Sequence, residues 1–148
     1  FLLLWVKNPL LTVKEMTRIT RQGGWVLALA EPDYGGRIDY PEALAEIGHM
    51  QEEALRQQGA ETRLGRRLAA LFIAAELHEI VTGVLGGEWE VQHAAADWQQ
   101  EWEVLEDDLR GWLTPDELST LREIDRSAHE IGERILYVPT FYAMGRKD

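Results

Sequence analysis

Residues 25–36, WVLALAEPDYGG, constrain the fold of this chain more than any other stretch. Gly23 and Gly24 supply a turn, an apolar run of six residues follows, and the run closes on Glu31, Pro32, Asp33 and Tyr34. An apolar run of that length after a glycine turn predicts a strand buried on both faces. Such strands belong to parallel α/β sheets, whose ligands sit outside the carboxyl ends of the strands. Glu31, Asp33 and Tyr34 therefore fall where a fold of that kind keeps its chemistry.

The rest of the chain reads outward from this strand. Residues 1–6, FLLLWV, have a strand pattern. Asn8-Pro9 opens a helix to about residue 20, with Asn as N-cap and Pro at the first helical position. Its face carries Leu10, Val13, Thr17 and Thr20, widened by Met16 and Ile19. After a loop rich in turn formers, Pro41 opens a weakly striped second helix to about residue 58. A third helix spans about 63–77, and the next strand about 78–85. From residue 91 a helix runs to about 112. Trp98, Trp102, Leu105, Leu109 and Trp112 recur at 4, 3, 4 and 3, a buried stripe. Thr114, Pro115 and Glu117 form a capping box before a helix that buries Leu118, Leu121, Ala128 and Ile131 and ends near Gly132. Residues 134–145 read as one last strand, in which Pro139 demands a bulge or an edge.

Composition narrows the function classes. The net charge of −11 disfavours binding to nucleic acid, which needs clustered Lys and Arg. There is no cysteine, so neither a disulfide framework nor a thiolate metal site can form. No apolar run approaches the roughly 20 residues of a membrane span. A cytoplasmic protein is expected. The opening FLLLWV is uncapped and apolar, and it is expected to be a chain cut inside a domain.

The segment WVKNP…EMTRITRQGGWVLALAEPD resembles the second half of a class I S-adenosylmethionine-dependent methyltransferase, in the group that includes ubiquinone and menaquinone biosynthesis enzymes. The pattern is an apolar stretch, an Asn-Pro helix start, then Glu15, Arg18, Ile19, Gly23 and Gly24 before a strand; Gln22 stands where the family usually has proline. The resemblance covers nearly the whole chain. It implies a Rossmann-like α/β fold present as its C-terminal part: strands five and six with the antiparallel strand seven between them, in the order 5-7-6. The chain would be a single partial domain, 1–148, with helical lid insertions at about 38–60 and 91–132. It also implies that residues 1–6 are the loop that passes the cofactor rather than a strand. Strands one to four and the glycine-rich loop would lie upstream; no G-x-G-x-G follows a strand here, so these residues alone are expected to bind the cofactor poorly.

The expected cofactor is S-adenosylmethionine, flanked by Phe1, Leu2 and Trp5. Glu31, Asp33 and Tyr34 are the candidates to orient the methyl acceptor or to act as base. Arg37, Tyr40, Trp98 and Trp102 are candidates to contact it, and the acceptor is expected to be a small molecule. For each there is a plainer structural role: core packing for the tryptophans and residues 1–5, turn formation for 31–34, loop structure for Arg37 and Tyr40. His93 with Asp97, and His129 with Glu130, lack a third ligand, and no metal is expected. The alternative to an enzyme is an acidic α/β binding or regulatory module that works through the tryptophan helix. Either way the edge of the strand at 25–30 calls for an oligomer or a partner to cover it.

Overall fold

A computed structural model describes residues 1–87 and 95–148, with the side chains of 95–97 left aside. The chain divides into two compact units. The first comprises Phe1–Gly36, Gly59–Gly86 and Val138–Asp148; the second comprises Arg37–Gln58 and Gly87–Tyr137. The second thus includes residues 91–132 and most of 38–60, the two stretches read from sequence as helical insertions; Gly59 and Ala60 fall in the first. The fold is mixed α/β, with two antiparallel sheets.

In the first unit a 3-10 turn at Leu3–Trp5 precedes helix α1, Pro9–Ile19. The strand pattern of residues 1–6 is overridden. Buried Leu3 and Leu4 turn inward together, which a 3-10 turn allows and an alternating strand does not. Asn8 caps α1 by accepting the Leu11 amide N–H. Val13 is its fully buried residue, whereas Ile19 is exposed and lies outside the expected face. At the Gly-Gly turn, Gly23 takes φ +68° and a Cβ on Gly24 would come 2.7 Å from the Thr20 methyl. Both positions thus need glycine, one for its dihedral and one for its size.

Strand β1, Trp25–Pro32, runs two residues further than the sequence suggested. Helix α3, Leu68–Ala74, leads into strand β3, His78–Leu85. Strand β5, Thr140–Arg146, lies between them, antiparallel to both, giving the order β1-β5-β3. The core gathers Leu3, Val13, Val26, Leu68, Phe72 and Ala143. One expectation fails here. Along β1, Val26 and Ala28 are buried while Trp25, Leu27 and Leu29 are exposed. The helices of this unit cover one face of the sheet only, so the apolar run is half-buried.

In the second unit, strand β2, Ile38–Tyr40, pairs antiparallel with strand β4, Ile135–Tyr137. The single last strand expected at 134–145 is therefore two strands, β4 and β5, in different sheets. Val138-Pro139 separates them, since proline offers no ladder donor and restricts the residue before it. Helix α2, Ala45–Gln57, and helix α4, Ala95–Asp108, contribute Ile47, Trp102 and Leu105 to a second core, joined by Leu44 just before the first and Leu109 just after the second. Helix α4 ends before Trp112, which is exposed and drops out of the stripe. The expected start of this helix, residue 91, lies outside the described residues. Helix α5, Pro115–Glu130, begins with the capping box: Thr114 Oγ1 accepts the Glu117 amide, and Glu117 accepts the Thr114 amide at 2.8 Å. Its Ala128 is buried, but Ile131 is exposed just past its end.

Candidate functional site

The carboxyl end of β1 gathers the polar groups of the first unit. Glu31 is 3% exposed and Asp33 is 1% exposed. Neither carboxylate is idle. The two oxygens of Glu31 accept the amide N–H groups of Leu3 at 3.0 Å and Leu4 at 3.1 Å. Asp33 accepts from the Arg66 guanidinium through both oxygens, at 2.6 Å each, and from the Arg66 amide at 3.2 Å. Bidentate, charge-assisted pairing of this kind is the strong form of the interaction, and it lets a carboxylate leave water.

The backbone of this turn is equally tied. The Asp33 amide donates to the Pro139 carbonyl at 2.8 Å, and the Tyr34 amide donates to the Thr62 carbonyl at 2.9 Å. Four chain segments therefore converge at residues 31–34: the 3-10 turn at the start, the strand itself, residues 62–66, and the entry to β5. Gly65 permits the closest approach. A Cβ there would meet the Phe141 ring at 2.6 Å and the Glu31 carbonyl oxygen at 2.8 Å.

Beside this end, Leu3 and Leu4 are buried while Phe1, Leu2 and Trp5 are exposed. The three residues expected to flank the cofactor thus present apolar surface from a segment that Glu31 grips.

The remaining candidates belong to the second unit, where they serve structure. The Arg37 side chain is nearly buried and donates to both oxygens of Asp39, at 2.5 and 3.1 Å, and to the Gln51 side-chain oxygen. Arg134 bridges Asp39 at 3.1 Å and Asp125 at 2.5 Å. Asp125 also accepts the indole N–H of Trp98 at 2.6 Å. Tyr40 is exposed, and its carbonyl accepts from Arg134 at 3.3 Å. Trp102 is 1% exposed, inside the second core. Arg122 lies over both indole rings, 5.2 Å from Trp98 and 5.9 Å from Trp102, within cation–π range.

Sequence reading did not find this Arg37–Asp39–Arg134–Asp125–Trp98 chain. Its members span 97 residues of separation in the extreme (Arg37 to Arg134), too far apart for a local pattern to join them. Among the described residues no group of three or more His, Cys, Asp or Glu side chains could hold a metal ion. His93 lies outside the described residues, as does the side chain of Asp97. Among the described residues, too, no helix is long and apolar enough to cross a membrane.

Comparison with protein-family models gives no match for this chain, and comparison with curated proteins gives none of significance.

Proposed function

We propose that these residues form the acceptor-side part of an S-adenosylmethionine-dependent methyltransferase acting on a small molecule. One observation supports this most: β5 lies between β1 and β3, antiparallel to both, directly beside a Gly-Gly turn and an Glu-Pro-Asp strand end. That is the order the resemblance implies for strands five, seven and six of such an enzyme. The two other strand orders available to three strands would have counted against it.

The residues present fit the cofactor on one side. Phe1, Leu2 and Trp5 offer an apolar wall at the carboxyl end of β1. Glu31 and Asp33 are buried and each is held by protein donors through both oxygens, so neither is turned toward ribose hydroxyls in this reading. The cofactor's chemistry is an electrophilic methyl group on a sulfonium. The chain's contribution is to bind and orient, because an in-line displacement depends on approach geometry. In this reading Glu31 and Asp33 build the floor of the site rather than remove a proton from the acceptor.

A binding module would have to work with less of the tryptophan stripe, since Trp102 lies in the core and Trp98 pairs with Asp125, while Trp112 is exposed. The test is to express the full reading frame that encodes these residues and titrate it with S-adenosylhomocysteine by calorimetry. Stoichiometric binding, followed by transfer of labelled methyl to small-molecule acceptors, is expected. A folded polypeptide that gives no binding heat at saturating cofactor would end this reading.

A further inference from the structure

The chain crosses between the two units four times: after Gly36, after Gln58, after Gly86 and after Tyr137. The first and last crossings are paired. On the side of the first unit, the Asp33 amide donates to the Pro139 carbonyl at 2.8 Å, and a Cβ on Gly36 would come 3.0 Å from the Pro139 ring. On the side of the second unit, Ile38 stands opposite Tyr137 in the β2–β4 ladder. Each side is also rooted in its own unit. Asp33 is gripped by Arg66, while Arg37 and Arg134 tie the β2–β4 ribbon to Gln51 of α2 and Asp125 of α5. The two middle crossings are built differently. Gly59 has φ +96° and Gly87 φ +108°, with nothing within 4 Å of a Cβ at either, and Gly86 has φ +83°. Backbone hydrogen bonds resume close by on both sides of Gly59, from the Gln58 amide to the Ala54 carbonyl and from the Glu61 amide to the Leu4 carbonyl. Glycine passes between positive and negative φ at little cost, so these positions can change angle without disturbing a neighbour.

We propose that the second unit turns as a rigid body about the paired crossings at Gly36 and Pro139, with Gly59 and Gly86-Gly87 absorbing the change in backbone angle. Hinges of this kind are a few element-terminal residues between bodies that keep their own packing. Two paired crossings define an axis, and two slack ones leave rotation about it open. The buried arginine pairs have a use here: they make the β2–β4 ribbon move with α2 and α5 rather than fray from them. The hinge stands whether or not the methyltransferase reading holds.

Residues 1–148 hold no cysteine, so spin labels can be placed at chosen pairs in the full reading-frame polypeptide, with any cysteine encoded outside them replaced by serine. Double electron–electron resonance then reads the distance distributions. Leu11→Cys with Ile73→Cys reports within the first unit, Val104→Cys with Glu123→Cys within the second, and Leu11→Cys with Val104→Cys across them; all four side chains are exposed. The two internal pairs are expected to give single narrow distributions. The cross pair should be at least about twice as wide, or split in two. Gly59→Ala and Gly87→Ala should shift the cross-pair distribution, because alanine resists positive φ, and leave the internal pairs unchanged. A cross pair as narrow as the internal ones overturns the hinge. An internal pair as broad as the cross pair overturns the rigid bodies. A broad cross pair that neither substitution moves overturns the role given to the glycines. Where one glycine variant does not fold, the other and the unsubstituted widths decide.

Discussion

Arg134 and Asp39 stand 95 residues apart in sequence, and the guanidinium of the first donates to the carboxylate of the second at 3.1 Å, both side chains less than a tenth exposed. The same guanidinium holds Asp125. Removing it takes a donor from two buried carboxylates at once, leaving Asp39 to Arg37 and Asp125 to the Trp98 indole. Arg134→Ala is expected to cost about 3–5 kcal/mol, the range for breaking a buried pair from one side. Denaturant titration checks this. Arg134→Lys should recover only part of the loss, because one ammonium cannot span two carboxylates as a planar fork does.

The two tryptophans of α4 should separate by type of loss. Trp102→Ala removes a fully buried ring and is expected to cost about 3–5 kcal/mol through the cavity it leaves. Trp98→Phe keeps most of the ring but leaves Asp125 short of a donor, an effect of about 1–3 kcal/mol. Thermal melts of both variants decide whether these residues act in the core. If either tryptophan lined an acceptor pocket instead, its variant would melt like wild type.

Alternation along β1 makes a second contrast. Val26→Ala should cost about 1–3 kcal/mol, whereas Leu29→Thr, at a side chain that is 61% exposed, should stay within about 0.5 kcal/mol. Equal losses at both positions would show that the sheet is covered on both faces.

Gly65→Ala is expected to destabilise by about 1–3 kcal/mol, since the new methyl has to displace the Phe141 ring and the carbonyl of Glu31. Gly59→Ala serves as a control for crowding, because nothing lies within 4 Å of a Cβ there; its φ of +96° confines any loss to backbone strain. A melt of Gly65→Ala that matches wild type would mean the strand end is looser than these distances.

The capping box of α5 makes stability depend on pH. Hydrogen bonds from the Thr114 amide and hydroxyl hold the Glu117 carboxyl below its ordinary pKa. A carboxyl lowered in the folded state stabilises the fold above its unfolded pKa, and that contribution is lost as pH falls through the folded value. Glu117→Gln should therefore lower stability at neutral and alkaline pH, change little at the acid end, and so flatten part of the acid limb of the stability curve. Thr114→Ala should cost about 1 kcal/mol near neutral pH and less at the acid end, because its hydroxyl also donates to the ionised Glu117. Melting temperatures from pH 3 to pH 8, a span chosen to bracket ordinary carboxyl values near 4, test both.

The local elements were legible in short runs of residues. Asn8-Pro9, the Gly-Gly turn, the apolar run from Trp25 to Ala30 and the Thr114–Glu117 box each carry their geometry in residues that are close together in the chain. Helix α1, strand β1 and the start of α5 follow from them. What those elements face was set by long-range packing. Which side of β1 is covered depends on where α1 and α3 pack, and the split of residues 134–145 into β4 and β5 depends on two different partners, β2 and the β1–β3 pair. The fate of Glu31, Asp33 and Arg37 was hidden for the same reason. A carboxylate at a strand end looks alike on paper whether it faces a substrate or an amide 28 residues away, because the chemistry of a buried charge is set by the donors that surround it.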